Sequence, residues 1–127
     1  MAAGFDHEWL TAPEARDRIT AVARFPADSA WFSGHFPENP ILPGVALIAL
    51  VARTVIGRES RAGRFLAIAG VRRVRFRLPV KPGDEVTLSA TEAPGPRGPS
   101  FAFSIQLAGE QACSGVLATE LISVKNP

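Results

Sequence analysis

Residues Ser33–Val51 read SGHFPENPILPGVALIALV, and this stretch decides the fold. One histidine, His35, precedes three prolines spaced three apart, Pro37, Pro40 and Pro43. Each proline fixes φ and removes a backbone donor, and each pushes the residue before it toward extended geometry. Phe36 to Leu42 is therefore expected to be a stiff extended lead-in. Pro43 suits the first residue of a helix, where its missing N–H costs nothing, and Gly57 suits the position just past the end. Between them Val45, Ala46, Leu47, Ile48, Ala49, Leu50, Val51 and Ala52 present no polar face. A helix apolar all round is a buried one. The stretch thus predicts a buried central helix over 43–56 with His35 held at its mouth.

Upstream, residues 16–25 alternate Ile19, Ala21, Ala23 and Phe25 with Arg18, Thr20, Val22 and Arg24, which predicts a first strand. Residues 1–14 carry Phe5, Trp9 and Leu10 among polar neighbours, and Pro13 limits any helix there, so a short helical turn or an arm over the sheet is expected. Residues 26–34 form a turn and a short extended piece, and Trp31 and Phe32 are expected to pack against the helix or a partner chain.

Downstream, residues 58–64 (RESRAGR) read as a polar loop. Leu66, Ile68, Val74, Phe76, Leu78 and Val80 then share one parity, and Arg73, Arg75 and Arg77 the other. Such alternation marks a strand with one face buried and one wet. Gly70 interrupts it and predicts a bulge or bend. Lys81-Pro82-Gly83-Asp84 is a turn, with Asp84 placed to cap it. Val86, Leu88 and Ala90 give a strand over 85–93, and residues 94–99 (PGPRGP) a hairpin connection. Phe101, Phe103, Ile105 and Leu107 give a further strand, residues 108–111 a turn, and residues 112–124 the last strand. Strand, buried helix and four more strands make an α+β class in one domain over 1–127.

Composition narrows the function. The chain has 127 residues, and its 46% hydrophobic and 20% charged content is that of an ordinary globular domain with a core. A net charge of +2 argues against a surface built for nucleic acid. One cysteine, Cys113, excludes an internal disulfide and suits a reducing compartment. Two histidines and one cysteine lie scattered, so no metal site or other cofactor is expected. The start, MAAGFDHEWL, lacks a basic region followed by an apolar one, so no secretory signal is read there. The apolar helix is shorter than the roughly twenty residues a bilayer needs, so no membrane span is expected and the location reads as cytoplasmic.

His35-Phe36-Pro37, Pro40 and Leu42-Pro43-Gly44-Val45 resemble the signature of the β-hydroxyacyl-acyl-carrier-protein dehydratases of fatty acid synthesis. Residues 74–84 (VRFRLPVKPGD) resemble that family's strand and turn after the helix. Two motifs in order, about forty residues apart, make a specific pattern, and the resemblance extends over 15–124. It implies the hotdog fold, in which an antiparallel sheet wraps one long central helix. It also implies a substrate carried as a thioester on acyl carrier protein or coenzyme A, and a dimer. A higher oligomer of dimers, or a heterodimer, fits the same pattern.

By this resemblance His35 is the general base and the Gly44 amide holds the thioester oxygen. A neutral imidazole can take the weakly acidic proton α to a thioester carbonyl, and helix N-terminal amides can hold the enolate-like charge. Packing of Gly44 against the sheet is the alternative reading. Phe36, Pro37, Ile41, Leu42, Pro43, Val45 and Ala49 are expected to line the acyl tunnel. The family carries Asp or Glu fourteen positions after the histidine, and here that position is Ala49. Residues 43–56 contain no acid at all. Glu38 is then the second candidate for a catalytic role, beside Asp84, Glu85 and a water ordered by Ser33. Arg72, Arg73, Arg75, Arg77 and Lys81 read either as a solvated strand face or as a landing patch for an acidic carrier protein. Three functions follow: a 3-hydroxyacyl-thioester dehydratase of fatty acid or related lipid or polyketide biosynthesis; an acyl-binding module or inactive heterodimer subunit; and a hotdog thioesterase.

Overall fold

Alternation builds the sheet. In the computed structural model, which describes residues 8–14, 18–26 and 42–123, Val86, Leu88 and Ala90 all point inward, each at most 1% exposed. They belong to β4, Glu85–Ala93, which pairs on one side with β2, Arg18–Arg24, and on the other with β5, Ser100–Leu107. Ile19, Ala21 and Ala23 of β2 and Phe101, Phe103 and Ile105 of β5 are buried on the same face. β5 joins β6, Glu110–Ser123, through Ala108 and Gly109, both at positive φ, as a two-residue hairpin turn requires. β3, Phe65–Phe76, lies outside β6, and β1, Glu8–Glu14, lies outside β2. The six-stranded order is β1-β2-β4-β5-β6-β3, antiparallel throughout.

One helix, α1, Gly44–Arg61, covers the buried face. Leu47, Leu50, Val51, Thr54 and Val55 recur at helical spacing and form its inner stripe. Each large aliphatic side chain so buried contributes about 1.5–3 kcal/mol. The Thr54 hydroxyl donates to the Leu50 carbonyl at 2.6 Å, which satisfies the one polar group in the stripe. An antiparallel sheet around a single long helix is the hotdog arrangement, and the class is α+β. Among the described residues no helix is long and apolar enough to cross a membrane.

Four sequence-based expectations need correction. Part of residues 1–14 is neither arm nor helical turn but the edge strand β1. Its register against β2 shifts at Trp9/Thr11 and Thr11/Glu14, and those irregularities hide it from a test of alternation. The helix does not stop at Gly57. It continues through residues 58–61, which had read as loop, and ends in a Schellman motif. There the Gly63 N–H donates to Ser60 O and the Arg64 N–H to Glu59 O, with Gly63 at φ 94°.

The helix is also not apolar on all sides. Val45 is 62% exposed, and Arg53 lies on the outer surface. Finally, the apolar parity of β3 is not buried along its length. Ile68 is 48% and Phe76 54% exposed, because β3 is the sheet edge and nothing among the described residues covers that end. Gly70 does sit at a bulge, as expected. A further register shift, between Arg72 and Arg75, surrounds Arg73 at φ 58°.

Candidate functional site

The two sequence motifs meet at the start of α1. The Leu42 N–H donates to the Val80 carbonyl at 2.8 Å, tying the proline-rich lead-in to the segment after β3. Val80 is itself buried. The following turn is fixed by Lys81 N–H donating to Asp84 Oδ2 at 2.8 Å and Gly83 N–H donating to the Phe25 carbonyl at 2.8 Å. Asp84 therefore caps its own turn, as its position in the sequence suggested.

Pro43 is the N-cap rather than the first helical residue, with φ −61° and ψ 144°, and Gly44 follows as the first residue of α1. Among the described residues no side chain caps this end, and its first turn holds no acid. The first amides of a helix have no acceptor within the helix and carry its positive dipole end. Gly44 is hemmed in, since a Cβ there would lie 2.7 Å from Phe76 Cζ. A side chain at position 44 would make the Phe76 ring shift, which is the packing reading of Gly44. Exposure of the amide to a thioester is a separate property.

From this end one face of α1 runs outward. Val45 is exposed and Ala49 half-buried. Ala49, Ala52, Arg53, Ile56 and Gly57 line a groove of about 420 Å³, closed on its far side by Ile68 of β3. The position at which the resembling family carries its acid thus opens on a groove, and among the described residues Arg53 is the one charged residue lining it. A larger cleft of about 520 Å³ lies at the β4–β5 hairpin, between Arg64, Glu92 and residues 93–99. Among the described residues it contains none of the expected site residues, and its two charged groups, Arg64 and Glu92, are paired with one another.

The helix does contain one acid, Glu59, beyond the 43–56 range. It is 5% exposed, accepting from Arg64 Nε at 2.7 Å and from Arg58 Nη1 at 3.2 Å. Arg64 also donates to Glu92 at 2.9 Å. The hydrogen bond to Glu59, then that to Glu92, holds the Arg64 guanidinium further above its already high ordinary range. Ten residues past Ala49, Glu59 lies about 15 Å further along the axis and cannot replace the missing acid.

Of the expected site residues, Leu42, Pro43, Gly44, Val45 and Ala49 are placed. Leu42 joins the hydrophobic core at 5% exposure. His35, Phe36, Pro37, Glu38 and Ile41 lie outside the described residues, as do Ser33, Trp31 and Phe32. Arg72, Arg73, Arg75, Arg77 and Lys81 are all exposed. They do not form the simple alternating row expected. The extra residue at the Arg72/Arg75 bulge lets three steps on β3 match two on β6 and returns both arginines to one face. Arg53, which in sequence reads only as a further contributor to the basic landing patch together with Arg58, Arg61 and Arg64, lines the groove beside Ala49.

Residues 11–116 match the profile of the ApeI-like family, described as ApeI dehydratase. The chain belongs to that family. A 3-hydroxyacyl-[acyl-carrier-protein] dehydratase, FabZ, of Oceanobacillus iheyensis is 34% identical over 103 residues, spanning 76% of this chain and 73% of the relative. Among solved structures, the dehydratase heterocomplex ApeI:P from Xenorhabdus doucetiae matches with TM-score 0.66 and 23% identity, over 87% of this chain and 95% of that one. A hypothetical thioesterase with coenzyme A from Streptococcus pneumoniae matches with TM-score 0.72 and 12% identity, over 99% and 96%. These two likenesses concern the fold alone. In this ApeI-like chain the fold is therefore shared with both dehydratases and thioesterases, while the sequence sides with the dehydratases.

Proposed function

We propose that this chain acts on 3-hydroxyacyl thioesters as a dehydratase-like protein of fatty acid, lipid or polyketide synthesis, in the cytoplasm and without a cofactor. The family match over residues 11–116 carries this reading. In the proposed reaction the neutral His35 imidazole takes the proton α to the thioester carbonyl. The carbon–hydrogen electron pair moves toward the carbonyl oxygen, where the Gly44 amide stabilises the charge. Reformation of the carbonyl then closes the α–β double bond as the β-carbon–oxygen bond breaks. The leaving hydroxyl takes a proton and departs as water, leaving an enoyl thioester.

That last proton is the weak point of the site. Ala49 holds none, so the donor is Glu38, an ordered water or the imidazolium formed in the first step. The arginines of β3 and Lys81 offer an acidic carrier protein an attractive surface. The test is direct: purified chain is given a medium-chain 3-hydroxyacyl thioester and the conjugated enoyl product is followed. Product formation that His35→Ala abolishes supports the reading; turnover untouched by His35→Ala sinks it.

A second reading is favoured by one observation, the alanine at the acid's position facing an open groove. The chain would then be the acyl-binding subunit of a heteromer whose other subunit carries the acid, in keeping with the heterocomplex among its structural relatives. Activity that is absent from the purified chain and emerges on mixing with a dehydratase possessing the helix acid would support it. Thioester hydrolysis has less support, because among the described residues no carboxylate lines the groove beside Ala49.

A further inference from the structure

We infer that the groove beside Ala49 is an anion-reading subsite, in which Arg53 pairs with a carboxylate at the distal end of an acyl chain. This rests on the reading of the chain as an acyl-thioester protein and names the class of acyl group it selects. The groove holds about 420 Å³ and is lined by Ala49, Ala52, Ile56, Gly57 and Ile68, with Arg53 as its one charged side chain among the described residues. Ligand sites of this make-up take an apolar body and fix it with a few placed polar groups. The placed group here is a guanidinium. It is permanently charged, cannot serve as a proton donor, and matches a carboxylate with two parallel hydrogen bonds.

Placement along α1 says which part of the ligand is read. Arg53 lies one turn, about 6 Å, beyond Ala49 and nine residues, about 13.5 Å, beyond Gly44. Helical side chains lean toward the N-terminus, so its guanidinium leans back over the space that the small Ala49 leaves open. A thioester oxygen at the Gly44 amide would be too far from Arg53 to be its partner. An anionic group several carbons further along the acyl chain is within its range. Arg53 is already engaged within the chain as it stands. The ligand's carboxylate therefore exchanges for an existing contact, and selectivity between ligands is the property expected to change.

An anion could also arrive as the phosphate of the carrier arm, so the probes separate the two sources. Calorimetry would compare two 3-hydroxyacyl thioesters of N-acetylcysteamine, which has no phosphate, of equal length, one ending in methyl and one in carboxylate. The coenzyme A thioester of the methyl-ended chain is the third probe. The wild-type chain should bind the carboxylate-ended probe about 10-fold more tightly than the methyl-ended one. Arg53→Gln should weaken the carboxylate-ended probe about 10-fold more than the methyl-ended one, and Arg53→Lys should keep part of the preference.

Binding of the methyl-ended probe without any carboxylate preference overturns the inference and leaves the thioester reading standing. If neither thioester binds, both fall. A loss confined to the coenzyme A probe would assign Arg53 to the carrier arm and overturn the acyl-end assignment. An equal loss for all probes, with a change of oligomeric state, would make Arg53 a subunit contact and overturn it as well.

Discussion

The ring of Phe76, at the end of β3, occupies the space a side chain on Gly44 would need, 2.7 Å from its ideal Cβ. This contact joins the two halves of the sequence signature. Gly44 opens the central helix and Phe76 closes the arginine-rich strand, with the Leu42–Val80 hydrogen bond beside them. Adding a methyl at Gly44 forces the exposed end of the Phe76 ring to move. Overpacking of this kind costs about 1–3 kcal/mol, and the low end is expected because the ring is 54% exposed. Gly44→Ala should lower the urea midpoint, and Phe76→Ala in the same chain should recover most of the loss. Additive losses in that double-mutant cycle would show that the two residues do not compete for space.

The far end of α1 is held by charge. Glu59 is buried and shared between Arg58 and Arg64, whereas the Arg64–Glu92 pair is about two-fifths exposed on both sides. Exposed pairs contribute about 0–1 kcal/mol, and a buried carboxylate deprived of a donor costs about 1–3 kcal/mol. Glu92→Ala should therefore be nearly silent in a denaturant titration and Arg64→Met clearly destabilising. Equal effects would mean that Glu59 is satisfied by Arg58 alone.

Cys113 is buried in the core, and desolvation pushes its thiol up from 9.0 to about 11. The folded chain thus holds this proton more tightly than the unfolded chain. Its contribution to stability is complete below pH 9 and is lost as the pH rises from 9 toward 11. Stability measured across that window should fall more steeply for the wild type than for Cys113→Ala. Reaction with a thiol reagent at pH 8 should be slow in the native state and fast in urea.

Along the edge strand, Phe65, Ile68, Val71 and Phe76 are all more than a third exposed, and α1 adds Val45 beside them. An apolar edge that none of the described residues covers is an invitation to strand pairing. We expect the chain to be a dimer or a heterodimer through this side. Val71→Lys should move the light-scattering mass toward the monomer without unfolding the chain. A monomeric wild type with unchanged circular dichroism would sink this expectation.

How much of this was legible in sequence depends on how local the signal is. Val86, Leu88 and Ala90 alternate without interruption, so β4 was readable residue by residue. The stop of α1 was misplaced because Gly57 looked like a terminator, whereas the positive φ belongs to Gly63. Residues 58–61 read as loop because they are polar and follow Gly57, whereas Glu59 among them is buried between Arg58 and Arg64. The exposure of Ile68 and Phe76 follows from the position of β3 at the edge, a fact of topology that alternation does not carry. At the site, the resemblance to the dehydratases was enough to show that Ala49 stands where that family carries its acid. The groove it opens on and the presence of Arg53 within it required the helix and β3 to be placed together.

That pairing changes what restoring the acid should do. A glutamate at position 49 would stand four residues before Arg53, the favourable order for an ion pair on a helix. Arg53 would then stabilise the ionised form and lower the carboxyl pKa. An ionised carboxylate has no proton to give to the leaving hydroxyl. Ala49→Glu alone should therefore raise dehydration of a methyl-ended 3-hydroxyacyl thioester by less than about 10-fold. Ala49→Glu with Arg53→Gln should approach the roughly 10²-fold that a positioned general acid provides. Above the pH at which the His35 imidazole takes up its proton, the rate should fall with rising pH as the carboxyl ionises, and at any such pH the double variant should keep more of its acid protonated than the single variant. His35→Ala in the double variant should remove the gain, because the acid works only after the base has acted. A full gain from Ala49→Glu alone would show that Arg53 does not govern this position. No gain in any variant, with thioester binding intact, would make the chain an acyl-binding subunit rather than a catalyst.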